Sequence, residues 1–143
     1  MFKREDEGPL DPRDRVAVDL LAAAIPGLVA VYRFGSSATG TSLPGSDLDL
    51  AILGGGPLDP VARFDLQEQL ASALRTDVDL VDLRAASTVM ASQVITNGVV
   101  LHETDVTARH LFESFVYGRY ARLNEERRAI LERIAREGTV YGG

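Results

Sequence analysis

Apolar residues recur in this chain at helical intervals in some stretches and run together or alternate in others, and the two patterns take turns along its length. Asp11-Pro12 caps a predicted helix whose stripe is Val16, Leu20, Leu21 and Ala24, and Pro26-Gly27 ends it. Residues 28–34 read as a buried strand rich in valine and aromatics, and residues 35–45 as a loop of small and polar residues. A second strand over 48–53 runs into Gly54-Gly55-Gly56-Pro57, which no regular element can continue. Asp59-Pro60 repeats the cap and predicts a helix to Leu74, with Phe64, Leu66, Leu70 and Leu74 inward. A third strand over 78–83 precedes a helix over 85–96, for which Asn97-Gly98 would supply a left-handed C-cap, and Val99-Val100-Leu101 forms a short fourth strand. Residues 105–137 read as helical, in one piece or broken near Gly118, with Gly138 closing them. Strands alternating with helices predict an α/β-type sheet with helices against it.

Composition narrows the class. At 143 residues the chain is expected to form one domain, with a core over about 11–103 and a helical segment over about 105–137. Hydrophobic residues at 45% and charged residues at 25% are those of an ordinary globular protein. The net charge of −6 argues against direct nucleic-acid binding, which needs a basic stripe to displace counterions, but not against a nucleotide held through a metal. With no cysteine there can be no disulfide and no thiolate metal site. The charged first residues lack the apolar run of a signal peptide, and no stretch approaches the roughly 18 apolar residues of a membrane span. A cytoplasmic location is the expectation.

Gly35-Ser36 and, ten residues later, Asp47-Leu48-Asp49 carry the chemistry. Successive strand side chains point to opposite faces, so Asp47 and Asp49 project together, about 7 Å apart. Their mutual repulsion becomes binding when a cation lies between them. Mg²⁺ suits the pair, because it takes one or two carboxylates, several waters and substrate phosphate oxygens. The loop Gly35-Ser36-Ser37-Ala38-Thr39-Gly40 offers backbone N–H groups as an anion nest and the Ser36 hydroxyl as a further donor. A third carboxylate is expected from the strand beginning near residue 78. Asp77 and Asp79 share one face and Asp82 takes the other; Asp79, flanked by apolar residues inside the strand, is the first choice and Asp77 the reserve.

Phe34-Gly35-Ser36, Asp47-Leu48-Asp49-Leu50 and Val78-Asp79-Leu80-Val81 together resemble the minimal nucleotidyltransferases of the DNA polymerase β-like superfamily. The compact length and the segment Asn97-Gly98-Val99-Val100-Leu101-His102-Glu103 are most similar to the MNT antitoxins of prokaryotic HEPN/MNT toxin–antitoxin pairs. The resemblance implies a small mixed sheet flanked by helices. It implies two Mg²⁺ ions on Asp47, Asp49 and Asp79, a triphosphate held at Gly35, Ser36 and Ser37, and Asp79 favouring deprotonation of the acceptor hydroxyl. It further implies ATP as substrate, AMP transfer to a tyrosine of a HEPN-type ribonuclease toxin, and a hetero-oligomeric complex with that toxin. Many relatives carry arginines where this chain has Ser37 and Thr39, which leaves triphosphate positioning to the metal, the backbone and Arg33 or Arg84.

Other readings of the same residues are weaker. A P-loop would need lysine at Thr41 and a helix where Leu43-Pro44-Gly45 stands, and an EF-hand would need glycine at Ile52 and glutamate at Leu58. His102 and His110 have no partner at metal-ligand spacing; Tyr117, Tyr120 and Tyr141 are conceivable self-modification sites, with packing or surface roles preferred for the two helical ones. In the last helix Leu111, Phe115, Leu123, Ile130, Leu131 and Ile134 fall at roughly helical spacing, either as a core face or as a surface that docks a partner. Two alternative functions follow: a non-catalytic antitoxin that occludes its partner, and nucleotidyl transfer to a small molecule such as an aminoglycoside.

Overall fold

The computed structural model describes residues 3–4, 10–35 and 47–141. In chain order the elements are β1 (Lys3–Arg4), α1 (Pro12–Ala24), β2 (Ala30–Phe34), β3 (Leu48–Leu53), α2 (Pro60–Leu74), β4 (Val78–Asp82), α3 (Thr88–Asn97), β5 (Val99–Glu103) and α4 (Val106–Tyr141). The sheet order is β1-β5-β2-β3-β4. β2 runs antiparallel to both β3 and β5, whereas β3 and β4 are parallel, so the sheet is mixed, as expected. β1 is a two-residue parallel addition to β5 that no hydrophobic pattern announces.

Helices cover both faces of the sheet. α1 and α2 pack Ala17, Val18, Leu21, Leu66 and Leu70 against Val31, Leu48, Leu50, Ile52 and Leu80. On the other face α3 and α4 set Ala91, Val94, Ile95, Phe112 and Val116 against Ala30, Tyr32, Ala51, Leu53 and Val100. The two-residue alternation of strand side chains produces this division. The caps form as the sequence predicts: the Asp11 carboxylate accepts from the Arg13 amide at 2.8 Å, and Asp59 accepts from Val61 and Ala62.

Four expectations are corrected. α1 buries Asp14, Ala17, Val18 and Leu21 while Val16 is exposed, because Arg33 of β2 binds the Asp14 carboxylate and draws that polar position inward. In α2, Phe64 lies on the outer side and is 51% exposed. Gly98 ends α3 in an extended conformation and not a left-handed one; it is glycine because a Cβ there would stand 2.4 Å from the Val94 carbonyl oxygen and 3.1 Å from that of Arg33. α4 runs in one piece through Gly118, one of the two readings its sequence allows, and is not closed by Gly138 but ends at Tyr141; Leu111, Phe115, Ile130, Leu131 and Ile134 are all exposed, so of the two roles open to them they do not form a core face.

The first turns of α4 are fixed by buried charge. Arg109, only 2% exposed, binds Glu103 of β5 and donates to Glu113 at 2.9 Å, and the buried Tyr32 hydroxyl donates to the same Glu113 oxygen at 2.7 Å. Burial, and then the Glu113 contact, push the Tyr32 hydroxyl above its ordinary range. Burial opposes the charge on Arg109, but its bonds to Glu103 and Glu113 outweigh that, and its pKa is raised. On the outer side of β4, Gln67 accepts from the Leu80 amide at 3.0 Å, and Arg63 donates to the Leu80 carbonyl at 2.9 Å. No helix among the described residues is long and apolar enough to cross a membrane.

Arg109→Met would leave Glu103 and Glu113 buried without their cation. Loss of one partner from such a cluster costs about 3–5 kcal/mol, so the urea midpoint of the variant should fall well below that of the parent.

Candidate active site

β3 lies between β2 and β4, and its two registers bring the acidic residues together. Asp49 stands opposite Phe34 on the β2 side and opposite Asp79 on the β4 side. Asp47 immediately precedes β3, and the Leu48 amide donates to the Asp77 carbonyl at 2.9 Å, which extends the β3–β4 alignment towards that end. Asp47 is exposed and Asp49 half-buried. Burial is the main cause that raises the Asp49 pKa above its ordinary 3.8, followed by the charge of Asp79 and then that of Asp47. The three carboxylates therefore share one electrostatic site. Asp77, the reserve candidate, is exposed ahead of β4 and is not among the groups that act on Asp49.

A carboxylate flanked by apolar residues inside a strand is expected to be buried, yet Asp79 is exposed. The face of β4 that carries it opens into a cleft, and its pairing with Asp49 distinguishes it from Asp77.

Gly35 follows β2 with φ +74°, in the left-handed region, and a Cβ at this position would lie 2.2 Å from Asp49 Oδ2. Both the turn and the closeness of the carboxylate require glycine. Ser36 and Ser37, the other expected phosphate contacts, lie outside the described residues, as does the rest of the loop 38–46.

The opposing wall of the cleft comes from α3, which the sequence reading did not include. Met90, Gln93 and Asn97 line a cavity of about 360 Å³ with Phe34 and Gly35. Ser87 and Met90 line a second, also of about 360 Å³, with Asp79, Val81 and Arg63. Met90 belongs to both, so the two cavities adjoin along α3. Positions 90, 93 and 97 recur at helical intervals opposite the buried Ala91, Val94 and Ile95, a pattern legible in principle once the helix is placed. Arg63 is a further addition, reaching round the sheet edge from α2.

The two arginines suggested for triphosphate positioning are engaged elsewhere. Arg33 points to the α1 face and binds Asp14, while Arg84 donates to the Gly54 carbonyl at 3.0 Å and lies over the Phe112 ring. Among the described residues no group of three or more acidic or histidine side chains is placed to hold a metal ion by itself. The acidic edge is open on its cleft side. Such an arrangement can bind a cation whose remaining ligands are water and substrate oxygens.

Residues 21–107, which include this glycine turn and the paired acids, match the family described as polymerase beta, nucleotidyltransferase. The chain belongs to that nucleotidyltransferase family. Protein adenylyltransferase MntA of Shewanella oneidensis strain MR-1 is 44% identical over 117 residues, which cover 82% of this chain and 84% of the relative. A toxin–antitoxin complex with AMP-PNP contains a chain 43% identical, with a TM-score of 0.78 over 85% of this chain and 98% of that one. A complex of tri-AMPylated Shewanella oneidensis HEPN toxin with MNT antitoxin contains one 40% identical, with a TM-score of 0.73 over 86% of this chain and 96% of that one. This nucleotidyltransferase is thus an enzyme that takes a nucleotide substrate.

Two outcomes follow from the geometry. Because the folded state holds the Asp49 proton to a higher pH than the unfolded chain, stability falls as pH rises from the ordinary 3.8 through the raised value. In divalent-free buffer Asp49→Asn should therefore raise the melting temperature at pH 7, with the gain vanishing below about pH 3.5. Gly35→Ala should lower nucleotidyl transfer by at least about tenfold and destabilise the fold by about 1–3 kcal/mol, since a left-handed non-glycine residue carries that strain even before the contact with Asp49. Steady-state kinetics and thermal melts check both parts.

Proposed function

We propose that this nucleotidyltransferase is a Mg²⁺-dependent protein adenylyltransferase and an antitoxin, transferring AMP from ATP to a tyrosine hydroxyl of a cognate HEPN-type ribonuclease toxin. One observation carries the reading: a chain 44% identical to a protein adenylyltransferase sets Asp49 and Asp79 opposite one another beside Gly35.

In this reading Asp47, Asp49 and Asp79 are the metal-binding carboxylates, and Mg²⁺ supplies the positive charge that offsets their repulsion and that of the triphosphate. Paired carboxylates at Asp49 and Asp79 offer the oxygen donors that ion takes, and their charges already oppose one another. The backbone at Gly35, together with Ser36 and Ser37, holds the phosphates. Asp79 orients the acceptor hydroxyl and draws on its proton. The hydroxyl oxygen forms a bond to the α-phosphorus as the bond from that phosphorus to the bridging oxygen breaks, and pyrophosphate leaves with the electron pair. Met90, Gln93 and Asn97 line the space next to Gly35 in which the rest of the nucleotide can be held. The location consistent with this role is the cytoplasm, where ATP and the toxin both occur.

With labelled ATP, Mg²⁺ and purified toxin, the parent should label the toxin, and Asp47→Asn or Asp49→Asn should reduce labelling by about a thousandfold, the size of losing a principal electrostatic group. Equal labelling by parent and Asp47→Asn would sink the proposal. The engagement of Arg33 and Arg84 away from the cleft favours a second reading, neutralisation by occlusion alone. That reading wins if both variants protect cells from the toxin as well as the parent does.

A further inference from the structure

α4 is 36 residues long, about 54 Å, and only its first part has a sheet to lie on. Its buried apolar residues Phe112 and Val116 continue into Leu123, Ile130 and Ile134 at steps of four, seven, seven and four residues, which return to one helix face. From residue 125 to 138 every position is exposed, so about 20 Å of helix carries the core-facing stripe beyond the core. Ile130 and Ile134 are 48% and 56% exposed, and Leu131 at 59% widens the stripe by one residue step, to about 100°.

The charges on this segment bear on what covers it. Residues 125–138 carry four acids and four bases, so the overhang is neutral in a chain of net charge −6. Arg127 lies within the stripe, between Leu123 and Ile130. A second copy laid parallel would set Arg127 against itself, and one laid antiparallel about the same centre would set it against Ile130; either buries a guanidinium without a carboxylate. A stripe of this width also suits a bundle better than the narrow seam of a two-helix coil. The occupant that fits is a different helical protein, with an apolar ridge and a carboxylate to meet Arg127.

The same surface leads to the cleft. Phe115, 59% exposed, and Leu123 line a cavity of about 290 Å³ with Thr88 at the start of α3. Thr88 adjoins Ser87, which lines the cavity of Asp79. We infer that the distal stripe of α4, centred on Leu123, Ile130 and Ile134, is the docking surface for the helical toxin, and that the toxin crosses the first turn of α3 to bring its acceptor hydroxyl to Asp79. This rests on the acceptor being that toxin, as proposed above.

The test compares the parent with the triple variant Leu123→Asp, Ile130→Asp, Ile134→Asp, using the cognate HEPN-type toxin with its nuclease site inactivated as the probe. All three positions are outside the core, so the melting temperature and the affinity for AMP-PNP should stay those of the parent. The KM for toxin should rise by about thirtyfold or more, the size of losing a hot-spot contact, and co-elution of the complex should be lost. If the parent labels the toxin and the triple variant does so with an unchanged KM, the docking surface is wrong and the transferase reading stands. If the parent binds the toxin without labelling it and the variant does not bind, docking stands and transfer fails. If the parent does neither, both fail. A parent chain that is dimeric alone by light scattering, with the variant monomeric, would give the stripe to a second copy and overturn the inference.

Discussion

The structure depends on holding like charges close together. β3 is antiparallel to β2 and parallel to β4, and only with both registers in place does Asp49 meet Asp79 on one side while lying beside Gly35 on the other. Burial and two neighbouring carboxylates raise the proton affinity of Asp49, so the bare site opposes the fold. What offsets this is remote from the site: two apolar layers on either face of the sheet, and the Asp14–Arg33 pair tying α1 to β2. In the proposed reaction a bound cation would turn the same repulsion into affinity.

Most of the scaffold can be read from the sequence because it follows from local rules. Asp11-Pro12 and Asp59-Pro60 start helices where they should, and the bounds of β3 agree with its predicted range of 48–53. Parity alone separates Asp79 from Asp82, and the buried Asp82 carboxylate duly turns to the other face, accepting from the Leu58 amide at 2.7 Å. The less legible features depend on tertiary contacts. Asp79 is exposed because a cleft opens on its side of the sheet, and Gly98 is glycine because two carbonyls approach it. Met90, Gln93 and Asn97 become one wall only once α3 is laid across from Gly35.

α4 shows what a periodic pattern leaves undecided. Its spacing allows Leu111 and Phe115 to be either core or surface, and Arg109 and Glu113 take the inward positions, because Glu103 and Tyr32 await them on the sheet. A buried ion cluster of this kind sets the rotation of the helix, a matter on which hydrophobicity is silent. It also determines which apolar residues of the distal half face outward, and therefore which surface is left to a partner.

The outer side of β4 bears on recognition. Gln67 and Arg63 occupy the amide and carbonyl of Leu80 on the outer side of β4, the strand that carries Asp79. An extended peptide can gain its hold by adding a strand to such an edge, and at Leu80 both the amide and the carbonyl are already engaged. Beside Asp79, then, a strand added to this edge would have to displace Gln67 and Arg63 of the chain's own α2 before it could pair with Leu80.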